Sequence, residues 1–135
     1  FIAHVRGLST DPVLVRRDWL AAYDFATDRA ARFLDDYARS ADPFGQIGVR
    51  SVMVQIASVV RASDASFQVK WNEQAFERGS PAGITRWTAM LTVILRPPHS
   101  EEALRRNPLG LFVTAIDWSR ELDPPPPTSP ERKSP

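Results

Sequence analysis

The sequence predicts an α+β domain in which a curved four-stranded antiparallel sheet wraps around N-terminal helices. Three observations carry this expectation. Apolar residues recur at helical spacing as far as Ala41; beyond Val49 the period changes to two; and the links between the first three two-period runs are too short for anything but antiparallel pairing. Each strand then has one apolar face in need of cover, and the amphipathic helices supply it.

Thr10-Asp11-Pro12 is a helix start, with a capping side chain and Pro in the first turn. Val15, Trp19, Ala22 and Ala26 form its stripe, widened by Leu20 and Tyr23. Thr27-Asp28 caps a second helix. There Ala30, Phe33, Leu34, Tyr37 and Ala41 share one side, while Arg29, Arg32, Asp35, Asp36 and Arg39 share the other. ADPFGQIG, with a Pro and two glycines, ends it.

In VRSVMVQIASVVRAS, Val52, Val54, Ile56 and Val60 are expected on one face, with Ser51, Gln55 and Arg61 on the other. Small polar residues from Ser63 to Ser66 make the turn. Phe67, Val69 and Trp71 alternate with Gln68, Lys70 and Asn72 in a second strand that runs toward Phe76, until ERGSPAG breaks it. In ITRWTAMLTVILRPP the residues Trp87, Ala89, Leu91, Val93 and Leu95 make an apolar face, and Pro97-Pro98 stops the ladder. SEEALRRN is a short helix capped by Ser100, and LFVTAIDWSREL is the fourth strand.

The chain has 135 residues, 43% of them hydrophobic and 24% charged, which suits one globular domain over residues 1–122. The tail LDPPPPTSPERKSP changes composition abruptly. Residues 123–135 favour polyproline II and offer no apolar side chain to bury, so a disordered, solvated tail is expected; the alternative is a Pro-rich ligand for a partner's aromatic groove. With 17 Lys+Arg against 16 Asp+Glu, the charge is balanced and interspersed, unlike the one-sided basic excess of a dedicated nucleic-acid binder. The absence of cysteine excludes disulfides and thiolate metal sites. The chain begins at Phe1, consistent with a processed protein or a piece of a longer one whose missing part could hold a membrane anchor.

No catalytic, cofactor-binding or metal-binding residues are expected. His4 and His99 read as surface histidines without a carboxylate at ligand spacing. Asp35 and Asp36 are adjacent on a helix and point apart. No nucleophile elbow and no phosphate-cradling glycine loop is present. Trp19, Trp71, Trp87 and Trp118 each lie in or beside an apolar stripe, so they read as core rather than as a stacking platform for single strands. Asp117 is an acid inside a clear strand pattern, and pointing inward it could act as a general base; the alternative reading is therefore a small enzyme or ligand-binding domain of the same cone-shaped fold.

Asn107-Pro108-Leu109-Gly110 separates the short helix from the fourth strand. Pro108 pushes Asn107 out of the helical region, Asn107 can bond nearby backbone, and Gly110 permits positive φ or a close backbone approach. On physical grounds alone this is a helix-to-strand turn.

The stretches STDPVLVRRDWLAAYDFATDRA, RASDASFQVKWNE, RWTAMLTVILRPP and RRNPLGLFVTAIDWSREL closely resemble the TrbF family. These are the conjugal-transfer members of the inner-membrane type IV secretion family whose Agrobacterium representative is the eighth VirB protein. The resemblance runs from about Ser9 to Asp123, and the family's Asn-Pro-x-Gly signature falls at Asn107, Pro108, Leu109 and Gly110. It implies a nuclear-transport-factor-like cone fold and a bitopic inner-membrane protein, anchored by a segment before Phe1, with this domain periplasmic. It further implies a non-enzymatic assembly role, with self-association through a surface shaped or supported by Asn107, Pro108, Leu109 and Gly110 and contacts with other secretion subunits; a weak homodimer is expected, and the interspersed charges and missing motifs add the expectation of no direct nucleic-acid contact and no cofactor. The Pro-rich tail is not part of that pattern.

Overall fold

The structure, a computed structural model, describes residues 1–122; the expected tail over 123–135 lies outside the described residues. Three helices lead: α1 (Ile2–Arg6), α2 (Pro12–Tyr23) and α3 (Asp28–Ala41). A 3-10 turn at Phe44–Gln46 then delivers the chain to β1 (Arg50–Ser63), β2 (Ser66–Glu77) and β3 (Ser80–Leu95), and α4 (Glu101–Arg106) connects β3 to β4 (Leu111–Arg120). All neighbouring strands are antiparallel and the sheet order is β1-β2-β3-β4, so the expected fold class is observed.

The predicted caps are in place. The Asp11 carboxylate accepts from the Val13 amide at 2.9 Å, and the Thr27 hydroxyl accepts from the Ala30 amide at 3.4 Å. Thr27 also ties α3 to β4: its amide donates to the Val113 carbonyl at 2.9 Å and its hydroxyl donates to Thr114 at 3.2 Å. Thr114 is the extra residue of a bulge, since Thr92 faces Ala115 while Val93 faces Val113.

One face of the sheet holds the core. Trp71 lies opposite both Ile56 and Trp87, Val69 opposite Val59 and Ala89, and Leu91 opposite Phe67 and Ile116. Ile2 and Ala30 close over this face, while Val5, Ala22 and Leu34 form an adjoining cluster between the helices. Trp118 joins the two, its ring 5.0 Å from Phe33, 5.1 Å from Tyr37 and 6.5 Å from Trp71.

Four expectations need correction. Helix α1 is not marked by any sequence signal; one and a half turns are too short for periodicity, and burial of Ile2 and Val5 holds it. Leu20 is 53% exposed, outside the buried stripe of α2. A bulge at Ala57 reverses the parity of β1, so Val59 and Arg61 continue the face of Ile56, and Val60 turns to the opposite side beside Gln68. Strand β3 starts at Ser80 rather than after Gly83. A two-residue turn with positive φ at Arg78 and Gly79 replaces the expected break, and Pro81 is tolerated because β4 pairs with β3 only from Trp87 onward.

Candidate functional site

The turn after α4 divides into a buried half and an exposed half. Ser100 caps α4 by accepting from the Ala103 amide at 3.0 Å, and the helix ends where Asn107 takes extended torsions of −148° and 78°, as a residue before proline must. Asn107 is only 4% exposed. Its amide group donates to the Leu111 carbonyl at 2.7 Å and to the Asp24 carbonyl at 3.4 Å, while its oxygen accepts from the Leu111 amide at 3.3 Å. One side chain thus fastens the start of β4 to the end of α2.

Gly110 adopts φ +64°, and a Cβ built on it would stand 2.2 Å from the Arg96 carbonyl oxygen. The Arg96 amide in turn donates to the Gly110 carbonyl at 2.7 Å. Both reasons for glycine apply here at once: left-handed torsions and backbone-to-backbone approach. Between these two buried residues, Pro108 and Leu109 form the tip, with Leu109 79% exposed. Leu95 and Leu111, paired across β3 and β4, leave further apolar surface open at this end of the sheet.

Asp117 does not point inward. It lies opposite Met90 on the solvent face of the sheet and is exposed, so the enzyme alternative loses the residue it rested on. Among the described residues the buried carboxylate is Glu73, which continues the inward series Val69, Trp71 of β2. Arg6 Nε and a terminal nitrogen donate to its two oxygens at 2.6 and 2.9 Å, and the Trp71 indole donates to it at 2.8 Å. The Arg6 guanidinium is itself enclosed by aromatic rings, 4.0 Å from the centre of Trp87 and 4.9 Å from that of Trp118. Period-two reading carried one step past Trp71 would have found Glu73; nothing in the sequence marked Arg6 as its partner. His4 also differs from a plain surface histidine, since its Nδ1 is buried without a hydrogen-bond partner. Among the described residues no group of three or more His, Cys, Asp or Glu side chains converges.

Above the Arg6–Glu73 pair the sheet, α1 and the C-terminal end of α3 leave an open cleft of about 360 Å³. It sits at the Arg120 end of β4, whereas the Asn107–Gly110 turn sits at the Leu111 end. The Tyr37 side chain lines it, and burial raises the Tyr37 hydroxyl above the usual tyrosine range, with Arg6 pulling the other way.

The VirB8 protein family matches residues 1–121 of this chain. The chain belongs to the VirB8 family. A conjugal transfer protein, TrbF of Rhizobium radiobacter, is 29% identical over 125 residues, which cover 90% of this chain and 57% of that protein. The chain therefore spans a little over half the length of that relative. Among solved structures, a TrwG component of the type IV secretion system of Bartonella birtlesii superposes with a TM-score of 0.78 at 13% identity, covering 90% of this chain and 86% of that one. Agrobacterium tumefaciens VirB8 gives 0.78 at 14% identity over 91% and 87% of the two chains. The fold of this VirB8-family chain is accordingly the nuclear-transport-factor-like one, as the resemblance implied.

Proposed function

We propose that the chain is the periplasmic domain of an inner-membrane, bitopic protein that serves as a non-enzymatic assembly component of a bacterial type IV secretion channel for conjugative DNA transfer. It works by contact with further copies of itself and with other channel subunits, tethered through a segment N-terminal to Phe1. Family membership supports the setting. The observation that carries the mode of action is the Asn107–Gly110 turn, in which two buried residues hold an exposed Pro108-Leu109 tip in one fixed place. A preformed apolar tip loses little conformational entropy on docking. Tethering confines copies to a layer beside the membrane, so a weak contact becomes effective through raised local concentration.

The enzyme reading is weaker. The buried carboxylate among the described residues, Glu73, has both oxygens engaged by the Arg6 guanidinium and the Trp71 indole, so the donors around it are internal and it is not left open toward a substrate proton.

Cross-linking of the membrane-anchored full-length protein, with a photoreactive residue at Leu109, tests the reading. Adducts to a second copy or to another channel subunit are expected. Adduct formation no greater than at an exposed control such as Arg39 would overturn a role for this turn in assembly.

A further inference from the structure

Strand β1 is an edge of the sheet, and its outer side is almost unused. Leu8 exchanges two backbone hydrogen bonds with Val52 there; beyond it, among the described residues, no backbone group pairs with β1 on that side. Val52 turns its N–H and C=O away from β2, so Val54 and Ile56 do the same, and after the bulge at Ala57 so do Val59 and Arg61. Open edges are normally blunted by charge, proline or shortness. Residues 51–60, SVMVQIASVV, contain neither a charge nor a proline, and the strand is 14 residues long. Apolar side chains stay open on both faces of this edge. Ile56 is 43% and Val59 59% exposed on the helical side, and Val60 is 55% exposed on the other.

We propose that a second copy of this chain adds to the edge, the two β1 strands pairing antiparallel about a dyad between Ala57 and Ser58. The bulge dictates that register. Edge-facing residues have even numbers before it and odd numbers after it. Ile56 therefore meets Val59 of the second copy, and Val54 meets its Arg61, each as a hydrogen-bonded pair, while Gln55 meets Val60 as a non-hydrogen-bonded pair. In each of these pairs both side chains lie on the same face. Ile56 and Val59 of the two copies form one apolar cluster on the helical side, and no charge faces a like charge. Symmetry favours a second copy over an unrelated strand. The dyad of an antiparallel pair stands normal to the sheet, so both helical layers lie on one side of the joined sheet. Both Phe1 residues, packed against those layers, then emerge on that side, as two chains tethered in one membrane require. That preference rests on the anchored reading proposed above, whereas the register follows from β1 alone. Pairing over residues 54–61 makes a small interface, weak in solution and effective under tethering.

The chain has no cysteine, so introduced cysteines report the register without background. Gln55→Cys and Val60→Cys, both at exposed positions, are made separately in the 135-residue chain and mixed in concentrated solution under a glutathione redox buffer. A disulfide needs Cα atoms within about 7 Å of each other, which the directly opposed pair offers and like positions do not. The mixture is expected to give disulfide-linked dimer about tenfold or more above either variant alone. Val59→Lys, added to both, is expected to keep the far-ultraviolet spectrum and to lower the mixed dimer about fivefold or more, because charge at an edge opposes pairing. Three outcomes would each overturn the proposal: equal dimer from either variant alone; a yield indifferent to Val59→Lys; or mixed dimer no more abundant than from Gln55→Cys with Asp117→Cys, an exposed position on the far strand. Failure here leaves the Leu109 cross-linking test intact, because the Pro108-Leu109 tip precedes β4, the opposite edge of the sheet.

Discussion

Arg6 and Glu73 are separated by 67 positions in the chain, and their side chains meet in a bidentate ion pair at 2.6 and 2.9 Å with only 10% and 7% of their surfaces exposed. The five-residue helix α1 is thereby fixed to the middle of the sheet. Breaking a buried pair leaves an uncompensated charge, so Arg6→Ala or Glu73→Gln is expected to cost about 3–5 kcal/mol. The double variant Arg6→Met/Glu73→Leu, which removes both charges, should lose much less. Urea denaturation of the three proteins checks this; singles no worse than about 1 kcal/mol, the range of an exposed pair, would refute it.

The two halves of the Asn107–Gly110 turn should respond differently to substitution. Gly110→Ala puts a Cβ into the Arg96 carbonyl at φ +64° and is expected to destabilise by about 2 kcal/mol or more, and Gly110→Val by more again. A glycine variant is therefore a poor probe of association, because it disturbs the fold. Leu109→Glu, at an exposed position, should leave stability within about 0.5 kcal/mol and weaken self-association in sedimentation. Unchanged sedimentation of Leu109→Glu would make the tip a plain turn.

Asn107→Asp tests whether the side-chain amide must donate. The carboxylate would face the Leu111 and Asp24 carbonyls that now accept from the amide. Burial against those oxygens raises the carboxyl pKa above its unfolded value. In the linkage relation the folded state then binds more protons, so stability is greatest at acid pH and falls as pH rises through the folded pKa. Denaturation midpoints that fail to rise, relative to the parent chain, on acidification from neutral pH would rule the donor role out.

The chain has two tyrosines, and both titrate late. Tyr23 is pushed up to about 12, first by burial and then by its hydrogen bond to Asp35; Tyr37 is raised by burial, opposed by Arg6. A free tyrosine is half ionised near pH 10, so the tyrosinate absorbance of the folded chain should be well below half its final value there. Protons held longer in the folded state also mean that stability falls as pH climbs through this range. Half-developed absorbance at pH 10 in the folded protein would contradict both.

What could be read in the sequence followed how local its cause is. The caps at Asp11, Thr27 and Ser100 and the faces of β2 and β3 depend on neighbours a few residues away, and all are found where expected. Ala57 is an ordinary strand residue, and only its pairing shows that it is the extra one, so the true position of Val60 was hidden. Glu73 was within reach of the period-two pattern, but its partner comes from α1, whose formation depends on tertiary contact. The turn at Asn107–Gly110 was legible as a turn; that Asn107 also bonds the end of α2 is a long-range fact no spacing reports.

The attachment of α1 also bears on how the domain meets force. Leu8 and Val52 exchange two backbone hydrogen bonds, at 3.0 and 2.9 Å, just beyond the Arg6–Glu73 pair. A pull applied at the N-terminus meets these contacts at α1 together with the packing of Val5 against Ala22 and Leu34. The ion pair, the two hydrogen bonds and the Val5 cluster share that strain on neighbouring residues, so a load entering at α1 is divided between the sheet and the helical layer rather than carried by either alone.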